Sequence, residues 1–306
     1  MNNSEKFGEI IYSKSMLQMI NVGKILRPRI HLVDVSKTVG AVELDNDVNA
    51  IIQSFIEHKI HCQEGAKLLV VTKGSEHLND ITMHPEMIKF RNKRRFLKIF
   101  DISSAKGARI NGEIVNREKF LSDLRNMSDN DDAIIFHINI LSEGIDVPGI
   151  TGIMPMHSLS VGKFLQTYGR ASRLHVIDRE DLKNGIKKVE DIDEFIKPYG
   201  WIIIPIYGTC GEDLKSELTE VVYALRNSGF RAAEDVVIKD SKGSAIPVPL
   251  SGINEMDKNA IRYKELFVSV THEIEEKEKA DKLAIEDFRL KESIKRETLH
   301  EMLKLF

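Results

Sequence analysis

Cysteine is nearly missing: Cys62 and Cys210 are the two in 306 residues. That number cannot build a disulfide framework, and it suits a reducing cytosol. No apolar run approaches the roughly 18 residues a membrane helix needs, and the opening Met-Asn-Asn-Ser-Glu-Lys carries no apolar signal core. The expectation is a soluble, cytoplasmic protein with no membrane partner. Excess charge is also lacking, since 44 Lys and Arg face 47 Asp and Glu for a net charge of -3. Binding nucleic acid through bulk charge is thereby excluded, and any basic surface must be local. There is no internal repeat and no G-x-x-x-x-G-K-[S/T] phosphate loop. His58, His61 and Cys62 have metal-binding chemistry, but helical spacing turns His61 about 100° from Cys62. No second C-x-x-C or H-x-x-H pair completes them, so no metal site is expected.

The residues that are present read as an α/β chain long enough for one large or two modest domains. Strand-like segments (Gly8 to Ser13, Arg29 to Val35, Lys67 to Thr72, Phe96 to Ser103, Ala133 to Ile138, Gly152 to Met156, Trp201 to Ile206) alternate with helical ones. KLLVVT, at Lys67 to Thr72, is continuously apolar, the mark of a strand buried on both faces. A helix over Asp47 to Cys62 has Asn46 as its candidate cap. Another begins at Ser75 and is perturbed near Pro85, and a glycine-containing loop precedes a helix at Arg117 to Met127. A boundary is expected near Gly252, after which a mixed-charge helical stretch continues to Phe306. The division is 1–27, 28–252 and 253–306.

Two segments carry candidate chemistry. In Glu143-Gly144-Ile145-Asp146-Val147-Pro148 an apolar strand runs into a turn, at the carboxyl end where α/β sheets place ligands. There Asp146 could accept hydrogen bonds from a ribose, or simply cap the turn; these six residues fit both readings equally. Twenty residues later Gln166, Gly169, Arg170 and Arg173 form Q-x-x-G-R-x-x-R. On a helix the positions i, i+4 and i+7 put Gln166, Arg170 and Arg173 on one face, with Gly169 allowing close approach. Convergent guanidiniums suit a triphosphate, although an isolated pair of helical arginines is more often a surface ion-pair face.

Together, in this order and spacing, with GIMPM and Ser158-Leu159-Ser160 between them, the segments resemble the second RecA-like domain of superfamily two helicases and translocases. The branch most similar contains the motors of type I and type III restriction enzymes and related phage or plasmid helicases. In that resemblance Glu143 to Pro148 is motif V, Gln166 to Arg173 is motif VI, and Leu69 to Ser75 is motif IV. It implies a RecA-like parallel sheet with helices on both faces, followed by a mostly helical C-terminal extension. It also implies one half of an ATP-hydrolysing motor acting on nucleic acid, DNA being expected. By the same resemblance Arg170, Arg173 and Gln166 are catalytic, Gly144, Asp146 and Gly169 bind the nucleotide, and Ser75 contacts nucleic acid. Ile138 replaces the threonine of another branch.

By the same resemblance residues 1–27 are the end of the first motor domain and the crossover helix, and the rest of that domain, with its phosphate loop and magnesium carboxylate, is not in these residues. Asp193-Glu194-Phe195-Ile196 imitates a magnesium-binding sequence but lies in a polar stretch rather than at a strand's end. ATP with Mg2+ held by the absent P-loop domain is therefore expected, and the chain alone should be inactive. The densest basic run, Arg91 to Lys98, offers Arg94, Arg95 and Lys98 to phosphates, or else is a solvated helix end. A non-catalytic nucleic-acid-binding or assembly module keeping the fold is the alternative.

Overall fold

A computed structural model describes residues 15–35, 42–138, 147, 149–157 and 159–207, with shorter stretches between 219 and 283. The expected strand at Gly8 to Ser13, the boundary near Gly252 and most of the C-terminal extension lie outside the described residues. The strands are β1 (Arg27–Val35), β2 (Lys67–Val71), β3 (Leu97–Ser103), β4 (Gly107–Ile110), β5 (Glu113–Val115), β6 (Asp132–His137), β7 (Gly152–Pro155), β8 (Tyr199–Tyr207), β9 (Val237–Lys239) and β10 (Ala245–Ile246). The helices are α1 (Met16–Asn21), α2 (Glu43–Ile60), α3 (Ser75–Thr82), α4 (Pro85–Asn92), α5 (Arg117–Arg125), α6 (Val161–Ala171) and α7 (Val176–Lys183).

All ten strands form one sheet in the order β10-β9-β1-β8-β7-β2-β6-β3-β4-β5. From β9 to β3 every neighbour pairs parallel; β10, β4 and β5 pair antiparallel. β2 is central, as its unbroken apolar sequence requires, with Leu69 opposite Ile135 on β6 and Ile153 on β7. Its alternate side chains enter two different cores. Leu68 and Val70 pack with Val48, Ile51 and Phe55 of α2 and Leu78, Ile81 and Met87 of α3 and α4. Leu69 and Val71 share the opposite core with Phe120 of α5 and Phe164 and Tyr168 of α6. Val222, Leu225, Val270 and Ile274 are buried in that second core as well. Among the described residues, no helix is long and apolar enough to cross a membrane.

Three local readings change. α2 starts at Glu43 with Val42 as its N-cap and no side-chain cap bond, so Asn46 lies inside the helix. Glu43 and Asp45 in the first turn complement the helix dipole and support this earlier start. The perturbation at Pro85 is a break into two helices, with the His84 ring capping Glu86 N and Pro85 occupying the first turn of α4. The glycine-containing loop is a hairpin of β4 and β5, turned by Asn111 and Gly112 at φ 55° and 85°.

The hairpin is fastened by a buried charge. Arg109 Nε donates to Asp101 Oδ1 at 2.7 Å, while its Nη1 and Nη2 reach Asn79 Oδ1 and Thr82 Oγ1 of α3 at 2.9 and 3.0 Å. Burial raises the Asp101 carboxyl even against this partner. Removing one member should therefore cost more than removing both. Arg109→Ala is expected to destabilise by about 3–5 kcal/mol, and pairing Arg109→Met with Asp101→Leu should restore most of it. Urea unfolding of both variants checks this; equal losses would contradict it.

Candidate functional site at the carboxyl edge

Parallel pairing gathers the segments after β2, β6 and β7 at one edge of the sheet, and these three strands are neighbours. After β2, Lys73 and Gly74 lead into α3, whose first residue is Ser75. After β7, Met156 and His157 lead towards Ser160 and α6. Neither Gly74 nor Ser160 makes a side-chain cap bond, so both helices present backbone N–H groups at this edge. Cations collect beside them. Burial, reinforced by Lys163, Lys73 and His77, lowers the pKa of His157. Lys73 Nζ donates to Glu43 Oε1 at 2.9 Å, and His77 Nε2 lies 2.8 Å from Asp47 Oδ2.

α6 covers the neighbouring face and carries Gln166, Gly169 and Arg170, as the spacing predicts. Arg173 does not share the helix, which ends at Ala171 with Ser172 as its C-cap. Gln166 and Arg173 are exposed, whereas Arg170 is buried at 9% exposure. Helical side chains lean towards their own N-terminus, and that lean carries Arg170 back towards His137 at the carboxyl end of β6. Burial, aided by the charge of Arg170, pushes the His137 imidazole down to about 4. A Cβ on Gly169 would meet no described atom within 4 Å, so nothing in the described chain fills the space beside it. Gly144 and Asp146 lie outside the described residues.

A buried ammonium ties this segment to the one following Val147. Lys197 Nζ donates to Ile150 O at 2.5 Å and to Arg173 O at 2.8 Å, and burial pushes its pKa down to about 7. Asp178 accepts from the backbone of Ile196 and Lys197 at 3.0 and 3.1 Å, which fixes the lysine's approach. No sequence motif singles out Lys197, which comes directly after the Asp193 to Ile196 stretch. That stretch overlaps a short 3-10 helix, Ile192–Glu194, just before the amino end of β8, so its carboxylates do not project from the carboxyl edge.

The other basic run is elsewhere. Arg94, Arg95 and Lys98 precede or begin β3, on the amino edge, and Lys98 Nζ approaches Asp131 Oδ2 at 3.7 Å. The fold does not bring them to Ser75. Of the residues with metal-binding chemistry, His58 Nε2 lies 2.7 Å from Thr151 Oγ1, and His61 stacks on Trp201. Glu64, Asp129 and His175 place ligand atoms within 4.8 Å of one another. However, His175 Nδ1 accepts from Ile177 N, which puts the neutral ring's proton on Nε2, facing the two carboxylates. That arrangement points a ring N–H towards the carboxylates and leaves no imidazole lone pair facing them for a cation.

No protein-family model matches the chain, and no curated protein does. Solved structures do. The ATP-dependent type ISP restriction-modification enzyme LlaBIII bound to DNA is 15% identical, matching 88% of this chain and 18% of its own, with TM-score 0.53. A fragment of a putative HsdR subunit of a type I restriction enzyme from Vibrio vulnificus YJ016 is 18% identical over 79% of this chain and 42% of its own, with TM-score 0.47. Mss116p DEAD-box helicase domain 2 bound to an RNA duplex is 10% identical over 65% and 75%, with TM-score 0.36. The chain spans less than half the length of the first two. At these identities the likeness is one of fold, and the chain has the RecA-like α/β fold of such motor domains.

The buried imidazoles predict acid sensitivity. His58, pushed down to about 3 by burial, and His137 stay neutral in the folded chain where unfolded histidine titrates near 6.5. Between about pH 6.5 and 4 the unfolded chain binds more protons, so their contribution to stability falls as pH falls. Urea midpoints at pH 7.5 and 5.0 should differ, and His137→Leu should narrow the difference. An undiminished difference in the variant would contradict this role.

Proposed function

We propose that the chain is the second motor domain of an ATP-dependent DNA helicase or translocase, completing an ATP site with a P-loop domain outside these residues. One observation carries the reading. The Gln166 and Gly169 surface of α6, next to exposed Arg173, is left uncovered by the rest of the described chain, on a fold shared with an ATP-dependent enzyme. An uncovered glycine between polar side chains suits a nucleotide entering from a facing domain.

In this reading Arg173 reaches the γ-phosphate with a planar fork that stays charged, and stabilises charge developing there. Arg170 lies deeper, held near His137, and completes the pair. Gln166 contacts the γ-phosphate or the facing domain, Gly144 and Gly169 permit close backbone approach, and Asp146 accepts from the ribose. Mg2+, held by the facing domain, supplies charge neutralisation on the phosphates. Lys197 keeps Arg173's backbone fixed against the Ile150 segment, so that opening and closing of the lobes moves both together.

Nucleic acid is assigned to the carboxyl edge. Ser75 and the open N-terminus of α3, with Lys73, Lys163 and the start of α6, offer N–H groups and cations to backbone phosphates. LlaBIII was solved bound to DNA, which supports DNA as the strand. Replacing Lys73 and Lys163 with alanine should flatten the salt dependence of single-strand binding by about 1.4 in log K against log salt, at roughly 0.7 per phosphate contact. An unchanged slope would move the strand elsewhere.

In the chain joined to its P-loop domain, Arg173→Ala should cut ATPase by about a hundredfold or more, against about 10³ to 10⁵ for known arginine fingers, with the melting temperature kept. Arg173→Lys should rescue poorly, because an ammonium lacks the bidentate fork. Arg170→Ala should lower both turnover and melting temperature, because its side chain is buried. Full turnover in both alanine variants would favour a non-catalytic assembly module.

A further inference from the structure

On the amino edge, away from every residue invoked above for ATP or nucleic acid at the carboxyl edge, the second half of α2 and the turn from α4 into β3 enclose a groove. Phe55 and Leu97 form its buried floor, and Ile56, Ile60 and Phe96 its walls. These wall residues are 39%, 75% and 68% exposed. Ile56 and Ile60 are one helical turn apart, so their side chains line the same side of α2. Scattered apolar side chains on a surface mean little, but three large ones around a common floor mark a contact surface.

The rim is basic. Arg94 lies over the Phe90 ring at 3.9 Å and Arg95 is 5.8 Å from the Phe96 ring. Neither has a carboxylate within ion-pair distance among the described residues, whereas Lys59 is engaged by Asp132 at 2.6 Å. We infer that this groove docks an amphipathic helix of a partner protein, one that presents apolar residues flanked by Asp or Glu. Charge complementarity with Arg94 and Arg95 selects an acidic partner. The topology selects a helix: β3 and β6 are interior strands, so among the described residues no free sheet edge exists here for an added strand, and successive turns of α2 (Ile56 and Ile60) line one side of the groove. Nucleic acid fits less well, because two of the three walls are aliphatic and cannot stack on bases, and Asp132 adds an acid to the same groove. This inference is independent of the ATP reading.

The test is fluorescence anisotropy of the full chain with a labelled helical peptide of about five turns, with leucine at i, i+3, i+4 and i+7 and glutamate beside it. A matched peptide with lysine in place of glutamate, and single-stranded oligothymidylate, complete the set. Saturable binding of the glutamate peptide is expected, with Phe96→Ser plus Ile60→Ser weakening it tenfold or more. Arg94→Glu with Arg95→Glu should reverse the preference towards the lysine peptide. Ile60, Arg95 and Phe96 are exposed and Arg94 is half-buried, and an unchanged melting temperature confirms the fold is kept. Failure of the glutamate peptide to saturate, or equal binding by the double-serine variant, overturns the inference. Competitive displacement of the peptide by the oligonucleotide would assign the groove to nucleic acid instead.

Discussion

Parallel strand pairing is the constraint on which the rest depends. A strand that runs parallel to its neighbour cannot be reached by a tight turn, so the chain must cross back over a face of the sheet each time. Every segment that leaves a strand from β1 to β8, outside the β4–β5 hairpin, therefore begins at one edge, and every return ends at the other. In this protein β2 lies between β7 and β6 although it is far from both in sequence. Their exits bring together Ser75, His157 and His137, along with the two uncapped helix starts. The same rule sends Arg94 and Arg95 to the opposite edge, since α3 and α4 carry the chain back before β3 begins. One surface is left polar and cationic with open helix ends, and the other apolar with a basic rim.

Buried polar groups then fix what the sheet only gathers. Lys197 is expensive to bury, and its two short bonds to the carbonyls of Ile150 and Arg173 offset that cost. Their effect is to join the Ile150 segment to the end of α6. Arg170 beside His137 links α6 to β6 from the other end. Around the hairpin, Arg109 does the same for β3, β4 and α3. Each of these cations ties in a helix or loop outside the sheet, which the sheet's own hydrogen bonds leave independent.

The central architecture is legible in the amino-acid pattern because it rests on local signals. The apolar runs of β2 and β6 can only be buried strands, and the spacing of Gln166 and Arg170 falls on α6. The β4–β5 hairpin escaped the sequence reading although Asn111-Gly112, flanked by Ile110 and Ile114, is a strong local turn signal; both residues adopt the positive φ that such a turn needs. Asn46 suits a cap by residue type, but acidic groups at Glu43 and Asp45 favour a start one turn earlier. Other features are not readable at all. Nothing in Ile196-Lys197-Pro198 reveals that its lysine reaches Arg173, and nothing in the basic run announces which edge it occupies. Those facts depend on which strands are neighbours, and strand order is a property of the whole sheet.

If this fold holds one half of an ATP site, the phosphate cradle must lie on a different domain. Turnover of ATP by the purified chain alone, free of contaminating ATPases and with single-stranded DNA present, tests that division most directly. Hydrolysis at background level, rising when a P-loop domain of the same motor is added, is the predicted result. Robust turnover by the chain alone would contradict it, because the phosphate-binding backbone would then have to lie within these residues.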